Sequence, residues 1–283
     1  IKDNLKTFLS QQDEFTDYNF EGSGMNILLD VLAYNTHYLG YNANMLANEM
    51  YLDSADQRSS VVSLAKQVGY TPRSSTSSQA TIDVVVNNAS GPSLTMSRGT
   101  KFTSTVDGTN YSFVANADVS ISPADGVYKF SNIVIYEGTY LNYKYTANTS
   151  DTDQRFIIPN DDVDTNTLTV KVQESASDST TNTYTLASGV TGIDSTSKVF
   201  FLQEVENGRF EVYFGDGVLG ESIKDGNIVI LDYITCNRDE PNGAQTFTLS
   251  GSVGGFSNVT ITTLGTAAGG DDPETIKSIK YNA

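Results

Sequence analysis

The 283-residue chain sets 34 acidic residues against 17 basic ones, a net charge of −17, with one histidine, one cysteine and no tryptophan. Clustered lysine and arginine release counterions from a phosphate backbone, so this balance excludes an electrostatic nucleic-acid binder. No apolar run approaches the ~20 residues of a membrane-spanning helix, and Cys236 alone cannot form an intrachain disulfide.

The sequence opens on Ile1 without a signal-peptide pattern and reads as part of a longer product. Residues 1–75 hold nine of the acids and five of the bases, so the acidity is spread along the chain as a solubilising surface. From Ile1 to about Tyr70 the apolar residues recur at helical spacing. Leu5, Phe8, Leu9 and Gln12 mark a short first helix, followed by the polar break "DEFTDYNFEGSG". In "MNILLDVLAYNTHYLGYNANMLANEMYL", Ile27, Val31, Tyr34, Tyr38, Tyr41 and Met45 alternate steps of four and three, a heptad seam. Leu32, Leu39 and Leu46 run seven apart beside it, and Asn35, Asn42 and Glu49 are assigned to the opposite side. A face this broad needs more than one neighbour. The next helix opens with Ser54 and Gln57 as a capping box, runs through Val61, Val62, Ala65 and Val68, and stops at "GYTP".

Two packings stay open for this segment. One is a self-contained helical hairpin. In the other, part of the seam meets another chain, and the partner-facing residues are Val31, Tyr34, Tyr38, Tyr41 and Met45. Tyrosine suits such a contact because its ring buries area while its hydroxyl stays satisfied. His37 lies within this helical pattern, far in sequence from Cys236, so neither residue offers a nucleophile–base pair. No spacing singles out a carboxylate pair either.

From residue 76 the period changes to two. A serine- and threonine-rich linker, "RSSTSSQ", leads into the strand "ATIDVVV", and Asp107-Gly108 makes a hairpin turn inside "KFTSTVDGTNYSFV". Further strands are "VYKFSNIVIYEG", "RFIIP", "TLTVKVQE", "KVFFLQEV", "RFEVYF", "NIVILDYIT", "QTFTLS" and "NVTITTL". Close turn signals between them predict mostly antiparallel sheets. Helical pattern returns at "DDPETIKSIKYNA", with Pro273 in the first turn. The fold class is therefore α+β, an amino-terminal helical hairpin followed by mostly antiparallel β modules. The expected divisions are a helical segment 1–75, a first β module 76–150, a second β module 151–265, and a linker with the start of a helix at 266–283.

Two motifs invite a ligand. "FGDGVLG" at 214–220 matches Gly-x-Gly-x-x-Gly after a strand, with Asp239 and Glu240 ~20 residues on, as in a dinucleotide site. In "RFEVYF", however, Phe210, Val212 and Phe214 alternate with polar residues, so one face is expected to meet solvent. Only "ESIKD" separates Gly220 from the turn at Asp225-Gly226, too short for a pyrophosphate-binding helix. Gly215, Asp216, Gly217 and Gly220 are accordingly read as a structural turn that reverses an antiparallel pair. "NDDVDTNT" at 160–167 places Asp162, Asp164 and Asn166 at calcium-loop positions, but its sixth position is Thr167 and its twelfth is Gln173. A solvated strand connection is the plainer reading, and no cofactor or metal is assigned.

The stretch from "FFLQEV" through "FGDGVLG", "DGNIVILDY" and "NGAQTF" resembles the wedge proteins of contractile-tailed phage baseplates, the T-even type related to the baseplate-J-like family. "GSGMNILLDVLAYNTHYLGYNANMLANEMYLDSADQRSSVVSLAKQVGYTPRS" is similar to that family's amino-terminal helical segment. "RGTKF", "IYEG", "DQRFIIPN" and "AGGDDPETIKSIKYNA" continue the likeness, and "TCNRDEPNGA" departs from it locally. The resemblance covers the family's amino-terminal and middle portion. It implies a non-enzymatic structural subunit of the virion baseplate, assembled in the host cytoplasm. It also implies a second copy of the chain, other wedge-core proteins, neighbouring wedges and the tail hub as partners, without membrane insertion. The resemblance further implies scaffolding of a ring around the hub that changes diameter when the tail fires, with sheath contraction following. A carbohydrate-binding tail or adhesin module is the alternative, and the lack of tryptophan leans against it.

Overall fold

The computed structural model describes the chain apart from residues 13, 15–17, 19, 20, 152, 188, 190, 206 and 207, and the polar break expected over 13–24 lies partly outside the described residues. Three helices come first: α1 (Lys2–Leu9), α2 (Gly24–Glu49) and α3 (Arg58–Gln67). Ser23 caps α2 by accepting from the Asn26 amide at 3.0 Å. α3 starts later than the Ser54 capping box implied. Its N-cap is Gln57 without a side-chain bond, and the Glu49 carboxylate takes the Asp56 amide at 2.9 Å while the Ser54 hydroxyl donates to Asn48 O. Gly69, at φ +80°, ends α3 in a Schellman turn, with Tyr70 N bonded to Ala65 O and Gly69 N to Lys66 O.

The fold is α+β as expected, helices first and then mostly antiparallel strands, but among the described residues α2 and α3 pack little on each other. α3 presents one narrow apolar stripe of Val61, Val62 and Ala65, and that stripe is filled by Ile279 of α4 (Ile276–Asn282), a carboxy-terminal helix folded back across the molecule. Val68, assigned to the same face, is exposed. Pro273 precedes α4 instead of entering its first turn, where Thr275 caps through the Ser278 amide.

The strands fall into two bodies. β1 (Gln79–Val86), β2 (Leu94–Met96), β3 (Lys101–Val106), β4 (Thr109–Ala115), β5 (Val119–Ile121) and β6 (Tyr128–Glu137) come first. β7 (Thr139–Thr146), β8 (Phe156–Ile157), β9 (Val163–Gln173), β10 (Thr181–Leu186), β11 (Val199–Glu204), β12 (Phe210–Phe214) and β13 (Ile228–Thr235) follow as a separate sheet ordered β7-β13-β9-β10-β11-β12-β8. The chain then returns with β14 (Thr248–Ser250) and β15 (Val259–Ala268) to complete the first sheet, ordered β14-β3-β4-β6-β1-β15. The second body is thus an insertion at 139–235 within the first. The expected cuts at 150/151 and 265/266 are displaced because β7 pairs with β13 and β15 pairs with β1, ladders between segments far apart in sequence.

Each sheet curls until its edges approach, the first closing through backbone bonds and the second through side-chain contacts. In the first, Gly243 N bonds to Ala267 O and Ala267 N to Ala244 O, so the segment entering β14 closes on the end of β15. Ile82, Val84, Phe102, Phe113, Phe130 and Ile135 fill the interior, and the ribbon of β2 and β5 covers it with Leu94 and Met96. In the second, Tyr145 of β7 donates its hydroxyl to Ile157 O of β8 at 2.5 Å and packs on Phe156 with ring centroids 5.6 Å apart. Only β10 and β11 run parallel among the strand pairs of the described residues.

The serine-rich segment expected as a linker is largely buried. Ser74, Ser75, Ser77 and Ser78 are all buried between the two barrels. Ser77 N donates to Asp164 Oδ2 at 2.9 Å, Ser74 Oγ and Thr165 Oγ1 lie 2.8 Å apart, and Thr76 pairs with Asp271. Small hydroxylated side chains let the backbone pass through a tight polar junction, and their composition mimics that of a loop. Ser77→Leu is expected to cost about 2 kcal/mol by overpacking, read from urea midpoints, whereas a solvated linker would tolerate it.

Glu137 sits where the chain leaves the first barrel, and Asn237 where it comes back. The fully buried Glu137 carboxylate accepts Asn237 N at 2.9 Å and Asn237 Nδ2 at 2.7 Å. Between them Gly138 adopts φ +127°, and a Cβ there would fall 2.1 Å from Thr235 O, so no other residue fits the crossing. Burial raises the Glu137 carboxyl above its ordinary 4.5, against the two bonds from Asn237. A carboxyl raised by folding holds its proton more tightly when folded. Its contribution therefore falls as pH climbs from the ordinary glutamate value to the raised one. Glu137→Gln should remove that decline, so its thermal midpoint gains on the parent as pH rises above 4.5. A difference constant with pH would refute the assignment.

Candidate assembly interface

α2 is 26 residues long, ~39 Å at 1.5 Å per residue, and it stands almost alone. Lys2 of α1 reaches Asp30 at 2.5 Å near the start of the helix, and Glu49 ties its far end to the start of α3. Among its described residues only Asn26 and Leu29 are buried. All five residues assigned to a partner face are exposed, from 41% at Met45 to 65% at Tyr34, and the Tyr34 and Tyr38 rings lie 5.1 Å apart. His37 is exposed on the same helix.

The helix is apolar on more sides than the tyrosine seam. Leu32, Asn35, Leu39, Asn42 and Leu46 also alternate steps of three and four, so Asn35 and Asn42 lie within the leucine stripe and not opposite it. Ala33, Thr36, Gly40, Ala43 and Ala47 repeat the spacing on a third side. This small-residue seam went unnoticed in the sequence, although its three-and-four spacing was the available signal. Asp30, His37, Asn44 and Asn48 make the fourth side polar, so the helix carries three weakly covered seams and one solvated face, more apolar surface than a solvent-exposed helix needs.

The root of this arm is held by charges. Arg58 of α3 grips Glu204 of β11 with two bonds, at 2.7 and 2.8 Å, and also donates to Glu274 O. The Glu274 carboxylate accepts from Tyr70 Oη, Arg73 N, Ser278 Oγ and Asn282 Nδ2. Burial alone would raise that carboxyl, but these bonds outweigh it and hold it below the usual range. Between the barrels, Arg98 lies 4.9 Å over the Tyr140 ring and 3.5 Å from Asp232, which also takes Tyr140 Oη at 2.8 Å, Asn142 Nδ2 at 2.5 Å and Lys171 at 3.3 Å. No sequence spacing advertises these pairs, because their members lie so far apart along the chain.

The glycine run does not join neighbouring strands. β12 pairs with β11 and β8 while β13 pairs with β7 and β9, so the reversed antiparallel pair is corrected to a crossing between separate strands. Residues 215–220 make a compact bend. Asp216 Oδ1 accepts the amides of Val218 and Leu219, Gly217 N bonds to Gly220 O, and Gly220 N bonds to Asp194 O. A Cβ on Gly215 would meet Leu219 O at 2.1 Å, and the next regular element after Gly220 is the strand β13. The solvent face expected for β12 is largely covered. Glu211 is buried beside Gln203, and Tyr213 is stacked on Phe201 and under Arg155.

The acidic stretch 160–167 is also not a solvated connection. Asp164 is fully buried and accepts Ser77 N, Asn166 N and Asn166 Nδ2, while Asp162 binds Arg238 at 2.5 Å. Burial pushes the Cys236 thiol up to about 11, so it is not a thiolate nucleophile at neutral pH. Among the described residues no helix is long and apolar enough to cross a membrane, and no cluster of potential ligands could hold a metal ion.

α2 thus presents a long and largely uncovered apolar surface beside two β bodies. Residues 1–70 match the family described as "Baseplate wedge protein gp6-like, helical domain", and residues 143–242 match "Bacteriophage baseplate wedge protein gp6, third domain". The second match falls on the inserted barrel. Both matches are to baseplate wedge proteins of the gp6 type, and together with the relative below they support a baseplate wedge protein of the virion tail. It is 29% identical over 310 aligned positions to "Baseplate wedge protein gp6" of Enterobacteria phage T4, covering 99% of this chain and 45% of that protein. The chain thus spans about half the length of the curated relative it matches.

Proposed function

We propose that this chain scaffolds a wedge of the baseplate ring around the hub and passes on the change that releases sheath contraction, without turning over a substrate. Its arm enters a helical bundle with partner chains, among them a second copy of itself and other wedge-core proteins, while the barrels bracket neighbouring wedges. The observation that carries this reading is α2, a long helix whose tyrosine, leucine and small-residue seams lie uncovered by its own chain. Apolar surface of that extent marks a protein–protein contact. Co-expression with the other wedge proteins tests it. The parent chain should elute in a stoichiometric complex, and a chain lacking residues 1–49 should elute alone. Equal complex formation by both would refute the arm's role.

A further inference from the structure

The root of the arm is held from the far end of the sequence. Among the described residues α3 packs on α4 more than on any strand. Its stripe of Val61, Val62 and Ala65 closes on the single fully buried side chain of α4, Ile279, with Ile276 partly buried beside it. Lys280 donates to Asp53 O at 3.1 Å and lies 3.9 Å from Asp56, which sets it against the turn from α2 to α3. Ser278 and Asn282 share the Glu274 carboxylate with Tyr70. α4 therefore touches the turn ahead of α3, its apolar stripe and the group just past its end. Toward the second barrel this helical root has the Arg58–Glu204 pair and a bond from Thr71 Oγ1 to Leu202 O at 3.2 Å.

We propose that α4 is a strap: seated on α3 it fixes the direction of the arm, and lifted it frees the helical segment to swing while both barrels stay folded. Its place in the assembly rests on the reading of the arm given above. Two features make the strap a device with two positions. α4 has seven residues, and a helix shorter than ~12 residues is marginal in water alone, so α4 is helical when seated and melts when it leaves. Its seat and its anchor are also separate. The anchor lies upstream, where Asp271 and Thr76 exchange backbone bonds and Glu274 N donates to Arg73 O at 3.0 Å. Withdrawing Ile279 thus breaks no ladder of either barrel. Segments held by few buried apolar contacts open before the rest of a fold does, and one plug of this size places α3 and α4 in that class.

Hydrogen exchange on the full chain, read peptide by peptide, tests the strap. Ile279→Ala should speed exchange of the α3 amides by about thirtyfold or more while β1 and β13 keep the protection of the parent. Val62→Ala, made on the other side of the same contact, should give the same selective pattern. Spin labels on Tyr38→Cys and Thr260→Cys, with the buried Cys236 left unlabelled, should report one narrow distance distribution in the parent and a broad one when Ile279→Ala is added. Exchange that rises in the barrels together with α3 would make Ile279 part of a common core and overturn the proposal. Unchanged α3 exchange would overturn it as well, and so would a parent distribution already as broad as the variant's. Each of these readouts is taken on the free chain, so the strap can fail while the arm still forms its complex, and the arm's role can fail while the strap holds.

Discussion

Arg58→Met should lower folding stability by about 3 kcal/mol, a drop of roughly 6–12 °C in the thermal midpoint for a chain of this size. Methionine keeps most of the stem's packing but leaves Glu204, only 1% exposed, as a buried charge without its guanidinium. Removing one member of a buried pair costs about 3–5 kcal/mol, and the low end applies because Arg58 keeps 29% of its side chain in contact with water. Replacing both partners tests the cause. Arg58→Met with Glu204→Leu removes the stranded charge and should recover most of the loss, since apolar replacement of both partners is often neutral. If the single variant melts with the parent, the pair does not hold the arm's root to the second barrel. If the double variant is as weak as the single, the stranded charge is not the cause.

The sequence displayed what depends on neighbours along the chain and hid what depends on distant ones. Helical spacing in 24–49 and alternation in 79–86 are local, and both emerge as the helix and strand that their periods imply. Asp107-Gly108 adopts the two positive φ angles of a tight hairpin turn, +49° and +83°. By contrast, β7 and β10 carry little apolar alternation, because "TYLNYKYT" and "TNTYTL" are polar enough to pass for loops and are held in place by ladders to β13 and β9. The "RSSTSSQ" segment misled for a related reason. Serine is the residue of flexible linkers and also of tight polar junctions, and only the partners Asp164 and Thr165 distinguish the two. Of the arm, the tyrosine seam was legible because large side chains dominate a periodicity count. The Ala33–Gly40–Ala47 stripe was missed because small residues weigh little in such a count, although they permit the closest helix approach.

Replacing Tyr34 and Tyr38 together by alanine should leave the free chain's stability within ~0.5 kcal/mol, because both side chains are solvent-exposed and touch little beyond each other. Association should suffer far more. Tyrosine is enriched among residues that dominate interface energetics, and two such anchors together are expected to weaken complex formation by about 100-fold or more, ~3 kcal/mol. A different substitution on the same helix separates affinity from specificity. Asn35 and Asn42 interrupt the leucine stripe seven residues apart, the spacing at which a polar residue fixes helix register and partner number at some cost in stability. Asn35→Leu with Asn42→Leu should therefore tighten self-association of the free chain while yielding mixed oligomers by light scattering. The tyrosine variant should yield monomer. A helix serving only as a solvated spacer would respond to neither change, and one packed against its own barrels would lose stability in the first. Uncoupling folding from association at Tyr34 and Tyr38, and affinity from stoichiometry at Asn35 and Asn42, is behaviour that only a helix buried by other chains should display.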